Sequence, residues 1–305
     1  MSNYRILALD GGGIRGVYTA VLLQRLSKEV PGFLGRADLL AGTSTGGILA
    51  LALAKGLTPE ELVALYADNG KQIFSRSLWR EIGYLGDLIG AKYDNAQLEK
   101  VLREKFGNLT LDDLLPRHVL VSSFDLDWPA AGGMPRMWKP KFFHNFAGKD
   151  SDGGEKVVDV ALRTSAAPTY FPVHQGFVDG GVVANNPAMA ALAQGLDAGT
   201  GKQTLEDIRL FSVGTGLSPA FISGDAHNWG IAQWAHSLVN MMIEGMMGVA
   251  DYECGRVLRE KYFRLAPILP APVGLDAVDK IPELIADANK ADLTSSVNWL
   301  KVNFV

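Results

Sequence analysis

The stretch DLLAGTSTGGILALALA, residues 38–54, decides the fold. Asp38–Ala41 has the character of a short buried strand, and Gly47–Ala54 is a small, apolar helix. Between them Gly42 and Gly46 bracket a turn around Ser44. The same order stands at the N-terminus. Tyr4–Leu9 reads as a strand, Gly11, Gly12, Gly13 and Gly16 form a glycine loop, and Val17–Leu26 carries apolar residues at helical spacing. Strand, tight turn and helix, repeated, build a parallel sheet. Further strands are expected at His118–Phe124, Lys141–Phe146 and Ile208–Val213, and helices at Pro59–Asn69, Asn95–Phe106 and Asn186–Gln194. The alternation indicates an α/β fold with helices on both faces.

Two stretches interrupt the pattern. Residues 74–93 hold Phe74, Trp79, Leu85 and Leu88 and read either as a cap over a site or as a peripheral helix turned onto the core. Residues 128–140 hold Pro129, Pro135, Pro140 and two glycines, the composition of an irregular loop. From Pro267 to Pro282 the chain is again proline-rich before a final helix-like tail. No interdomain linker is evident, so residues 1–305 are expected to be one domain, with 74–93 as a candidate cap insertion and a tail from 267.

Composition narrows the function. Lys plus Arg is 29 against 33 Asp plus Glu, a formal net charge of -4, which leaves no basic excess to neutralise phosphates and argues against a nucleic-acid partner. The one cysteine, Cys254, forms no internal disulfide and suits a reducing, cytoplasmic setting. The N-terminus lacks the regions of a secretory signal. Mean hydropathy is +0.09, yet no apolar run approaches the roughly 20 residues of a membrane span, so contact with lipid would be peripheral. No H-E-x-x-H, cysteine cluster or calcium-loop spacing occurs, and neither a metal nor a cofactor is expected.

Gly42-Thr43-Ser44-Thr45-Gly46 is a G-x-S-x-G sequence in the strand-to-helix context that makes it a nucleophile turn. Asp10-Gly11-Gly12-Gly13-Ile14-Arg15-Gly16 lies at another strand-to-helix junction, where unpaired N–H groups form a donor cradle. Dinucleotide binding is one reading of such a loop, although the spacing departs from G-x-G-x-x-G and no acidic residue ends a second strand. The other reading is an oxyanion hole, with Arg15 strengthening the positive field or holding a phosphate headgroup. Asp179-Gly180-Gly181 follows the apolar Phe177 and Val178 and presents a carboxylate at a glycine turn. Within reach of Ser44 it would serve as a base, helped by burial because an ordinary pKa near 3.9 is low for the task; alone, it would merely cap the turn.

These segments, with Ser165-Ala166-Ala167-Pro168-Thr169-Tyr170-Phe171-Pro172 and the continuation of the third through Asn185-Asn186-Pro187, resemble the patatin-like phospholipases, the patatin-like lipid acyl hydrolases, of bacterial type. The resemblance runs from Ile6 to about Phe263. It implies a three-layer α/β/α sandwich around a mostly parallel sheet and hydrolysis of phospholipid or other acyl-ester lipids without a metal. It further implies Ser44 as nucleophile and Asp179 as general base, with Gly11, Gly12, Gly13, Arg15 and Thr45 forming or supporting the oxyanion hole. Three other readings stand beside it. One is a Ser-His-Asp esterase, for which His227 and His236 have the right chain order after Asp179. Another is an effector phospholipase that needs a nucleotide or other activator. The last is a non-enzymatic phosphate-binding module. His174 reads as a structural histidine, and the methionines at 241, 242, 246 and 247 read as helix core or as the lining of an acyl pocket.

Overall fold

Parity along the strands determines which layer each side chain enters, because successive residues of a strand point to opposite faces. The computed structural model describes residues 3–73, 90–130, 132–223 and 228–305 and, within 231–240, only the side chains of Trp234 and Leu238. β1 (Tyr4–Leu9) is buried from Ile6 onward and β2 (Leu39–Thr43) along its whole length. Such continuous apolar runs belong to parallel strands covered on both sides. Leu7, Leu9 and Leu40 enter one core, formed with α1 (Gly16–Glu29), α2 (Thr45–Lys55), α3 (Pro59–Ile73), α4 (Ala96–Phe106) and α5 (Val157–Thr164). Ile6, Ala8, Leu39 and Ala41 enter the other. That second core follows the four-residue α6 (Gly181–Ala184) and takes in α7 (Ala188–Leu196) and α8 (Ile231–Leu258) through Ala188, Leu192, Cys254 and Leu258. The fold is therefore α/β, a central sheet between two helical layers.

The remaining strands are β3 (His118–Trp128), β4 (Met137–His144), β5 (Phe177–Asp179), β6 (Ile208–Val213) and β7 (Tyr262–Leu265). Their order is β4-β3-β2-β1-β6-β7, with β5 paired to β3. From β3 through β7 the neighbours run parallel, whereas β4 and β5 run antiparallel to β3. One flank of β3 is occupied by β4 from Leu120 to Asp125, so β5 must lie on the other, in the lane already used by β2. Thr43 pairs with Ser122 and Asp179 with Ser123. β2 and β5 thus meet end to end, and the residue after Thr43 abuts Asp179.

Residues 128–140 differ from the irregular loop expected. β3 extends to Trp128 and β4 begins at Met137, so the two ends of this stretch are the arms of a hairpin and the loop is confined to the residues between them. Pro140 fits because β4 is an edge strand, where a missing N–H disturbs no ladder beyond it. β7, α5 and the full β4 are elements that the hydrophobic pattern did not announce. Beyond 267 the chain forms α9 (Ile281–Lys290) and α10 (Thr294–Asn303). Ile281, Leu284, Leu300 and Phe304 are buried in the same core as Leu7, and Phe304 meets Phe33 and Phe211 edge-on. Of the cap expected at 74–93, residues 74–89 lie outside the described residues. At its end, the N–H groups of Lys92 and Tyr93 donate to the carbonyls of Thr169 and Tyr170. No helix among the described residues is long and apolar enough to cross a membrane.

Candidate active site

Three glycine-bearing turns leave the carboxyl ends of β1, β2 and β6, neighbouring strands of the sheet. This is the edge at which open parallel sheets bind ligands. At the end of β2 the chain reverses so sharply that Ser44 adopts φ 53°, ψ -124°, a conformation costing about 1–3 kcal/mol in a non-glycine residue. The surroundings enforce it. A Cβ on Gly42 would stand 2.2 Å from the carbonyl oxygen of Gly46, and one on Gly46 would stand 2.2 Å from that of Leu9. The Ser44 N–H donates to Thr164 Oγ1 at 2.8 Å, and that hydroxyl donates in turn to the Ser122 carbonyl at 2.6 Å. Thr43 Oγ1 donates to the Ala184 carbonyl at 2.6 Å and also lies 2.6 Å from Ser122 Oγ. Ser44 itself lies at the N-cap of α2, whose positive end favours negative charge there.

Asp179 ends β5 and is 5% exposed. Its Oδ1 accepts the Gly181 N–H at 2.7 Å, its own N–H donates to the Ala166 carbonyl at 3.0 Å, and the Ser44 side chain stands beside it in the same cavity. Burial pushes the carboxyl up to about 6, while Ser44 and the Gly181 N–H restrain the rise. Ser44, Thr45 and Asp179 share one cavity with Gly12 and Gly13, and its walls are apolar, including Ile48, Leu65, Leu98, Val101, Phe171 and Ile243. Thr45 Oγ1 and the buried Tyr66 hydroxyl are hydrogen-bonded beside it.

The expected donor residues divide by geometry. The Gly11 N–H is taken by the Asn185 carbonyl at 3.0 Å, so Gly11 is a support and not a free donor. The N–H groups of Gly12, Gly13 and Thr45 have no acceptor among the described residues. Gly13 has φ +57°, and a Cβ there would stand 2.2 Å from the Leu275 carbonyl oxygen, which accepts the Ile14 N–H at 2.8 Å. The tail therefore closes over the glycine loop. Asp10 is wholly buried and receives both terminal nitrogens of Arg264, at 2.9 and 2.5 Å, a fork that fixes where the loop starts. Arg15 is 4% exposed, and its Nε has no hydrogen-bond partner among the described residues. It lines the adjoining groove with Glu244, Met241, Phe221 and Tyr170, not the cavity of Ser44.

No described histidine side chain lines that cavity. His118 stacks on Phe146 with ring centroids 4.0 Å apart, His144 faces Asp150, and His174 lies 3.3 Å from Asp159. His227 and the His236 side chain, the two that chain order offered a triad, lie outside what is described. The methionines divide: Met247 is core, whereas Met241 and Met242 are about half exposed. Sequence reading did not single out Thr164, Thr215, Asn185 and Arg264 as the braces of the two turns. The available signal was Gly214-Thr215-Gly216 directly after the buried β6.

Residues 7–192 match the family model described as Patatin-like phospholipase. Among similar proteins, a cGAMP-activated phospholipase of Pseudomonas aeruginosa is 37% identical over 86% of this chain and 78% of its own. Protein teg of Priestia megaterium is 32% identical over the full length of both chains. The putative sporulation hydrolase CotR of Bacillus subtilis is 31% identical over 100% of this chain and 99% of its own. The chain belongs to the patatin-like phospholipase family and is a lipid acyl hydrolase.

Proposed function

We propose that this hydrolase cleaves acyl esters of phospholipids through Ser44 and Asp179 alone. The observation that carries the reading is the end-to-end meeting of β2 and β5, which sets a buried carboxylate of raised pKa against a serine on a strained turn. Asp179 accepts the Ser44 proton as Oγ attacks the ester carbonyl carbon. The electron pair moves to the carbonyl oxygen, which the free N–H groups of Gly12, Gly13 and Thr45 receive. Collapse expels the alcohol, which takes the proton from Asp179, and leaves an acyl-Ser44. Water, deprotonated by the same carboxylate, then releases the fatty acid. The apolar walls suit an acyl chain. Exposed Phe221, Ile222 and Met241 in the neighbouring groove suit peripheral contact with a membrane, and the lone buried Cys254 is compatible with a cytoplasmic enzyme.

A fluorophosphonate probe reads the nucleophile without a choice of lipid. Intact mass and peptide mapping should give a single adduct on Ser44; an adduct elsewhere would overturn the assignment. The cGAMP-activated relative favours a second reading, a site that waits for a nucleotide. In that case labelling would begin only when a cyclic dinucleotide is added.

The base also sets a pH profile. Asp179 works when ionised, so kcat/KM should be level at alkaline pH and fall about tenfold per pH unit once the pH drops below about 6. A limb near the ordinary carboxylate value of 3.8 would mean that the buried carboxyl is not the base.

A further inference from the structure

We infer that Thr215 is a positioning residue, which holds the Gly11–Gly12 peptide so that its N–H faces the reacting carbonyl. The inference rests on the Ser44–Asp179 reading above. Thr215 lies beyond residues 7–192, the part that matches the family, and is 2% exposed on the turn after β6. Its hydroxyl donates to the Gly11 carbonyl at 3.2 Å, and Asn185 Nδ2 donates to the same oxygen at 3.3 Å. Both lone pairs of that oxygen are then engaged.

A trans peptide is planar, with its N–H opposite its C=O. Anchoring the Gly11 oxygen at Thr215 and Asn185 therefore sends the Gly12 N–H the other way, into the cavity that Gly12 shares with Ser44. An anchor matters here because a peptide between two glycines rotates more freely than any other. Turned over, it would offer an oxygen, not a donor, to the charge that forms on the substrate. The fit at Thr215 is close, since a Cβ on Gly12 would stand 2.2 Å from Thr215 Oγ1. The hydroxyl lies against the very peptide it orients.

Thr215→Val keeps the β-branched shape and removes the donor. With p-nitrophenyl butyrate, kcat should fall at least about tenfold, towards the 10² to 10³ typical of a lost oxyanion donor, while KM changes less than about twofold. The rate of fluorophosphonate labelling should fall in parallel, because that reaction also loads negative charge on the oxygen. Thr215→Ser, which restores a hydroxyl, should recover most of the rate. Wild-type kcat in Thr215→Val, a loss confined to KM, or an equal loss in Thr215→Ser would each overturn the inference. Ser44→Ala separates the two levels. If that variant still turns over the ester, the nucleophile assignment fails; if it is dead while Thr215→Val is normal, only the role of Thr215 fails.

Discussion

Asp179→Asn should lower acyl hydrolysis by about 10² to 10⁴, the range for loss of a positioned base, and should at the same time make the protein more stable at pH 8. The amide keeps the shape and its Oδ1 still accepts the Gly181 N–H, so the loss of rate is a loss of proton transfer. Stability moves the other way because the folded-state pKa is raised. A carboxyl that titrates at about 6 when folded and 3.8 when unfolded favours the folded state only while protonated. Its contribution is complete below 3.8 and is lost as the pH rises through about 6. At pH 8 the ionised Asp179 therefore costs about 3 kcal/mol, since the free energy changes by about 1.4 kcal/mol for each pH unit that separates the two values. The asparagine variant should melt several degrees higher at pH 8, and the gap should close below pH 4. A variant that melts no higher than wild type at pH 8 would show that burial does not strain this carboxylate.

Gly46→Ala should be among the most damaging single methyls in the site. Its Cβ would stand 2.2 Å from the Leu9 oxygen and 2.5 Å from that of Asp10, both backbone atoms, so α2 must withdraw from the end of β1. Overpacking a core costs about 1–3 kcal/mol when side chains can yield. Here backbone must move, and a loss of at least about 3 kcal/mol is expected, read as a lower urea midpoint and as slow labelling of Ser44. Gly56→Ala, at the other end of the same helix, is the control. Gly56 has φ +99° and nothing within 4 Å of an added Cβ, so the cost there is conformational and near 1 kcal/mol. Similar losses for the two would mean that the approach of β1 adds nothing to the cost of a methyl at Gly46.

Much of the fold was legible because buried parallel strands advertise themselves. Tyr4–Leu9 and Ile208–Val213 coincide with β1 and β6, since both faces of each strand are covered and no polar alternation breaks the run. β7 was not legible. Arg264 sits in the middle of its four residues, and its charge makes sense only beside Asp10, 254 residues away in sequence. β4 was hidden by a proline that an edge strand accepts. At the site, Ser44 and Asp179 stood out because their turns carry glycines for visible reasons. Thr164, Thr215 and Asn185 act through single hydrogen bonds to backbone from distant segments, and no local pattern marks such a bond before the chain is folded.

The seam on the flank of β3 makes the distance between nucleophile and base a whole-number quantity. Sliding β5 by one residue would not lengthen the gap slightly; it would turn the carboxylate to the opposite face of the sheet and present Val178 or Gly180 to Ser44. The pair admits no intermediate settings, so its strength is tuned through burial and donors, while its geometry is either kept or abandoned. Length changes in the hairpin tip at 129–136 leave this count untouched, whereas a single insertion between 177 and 179 resets it.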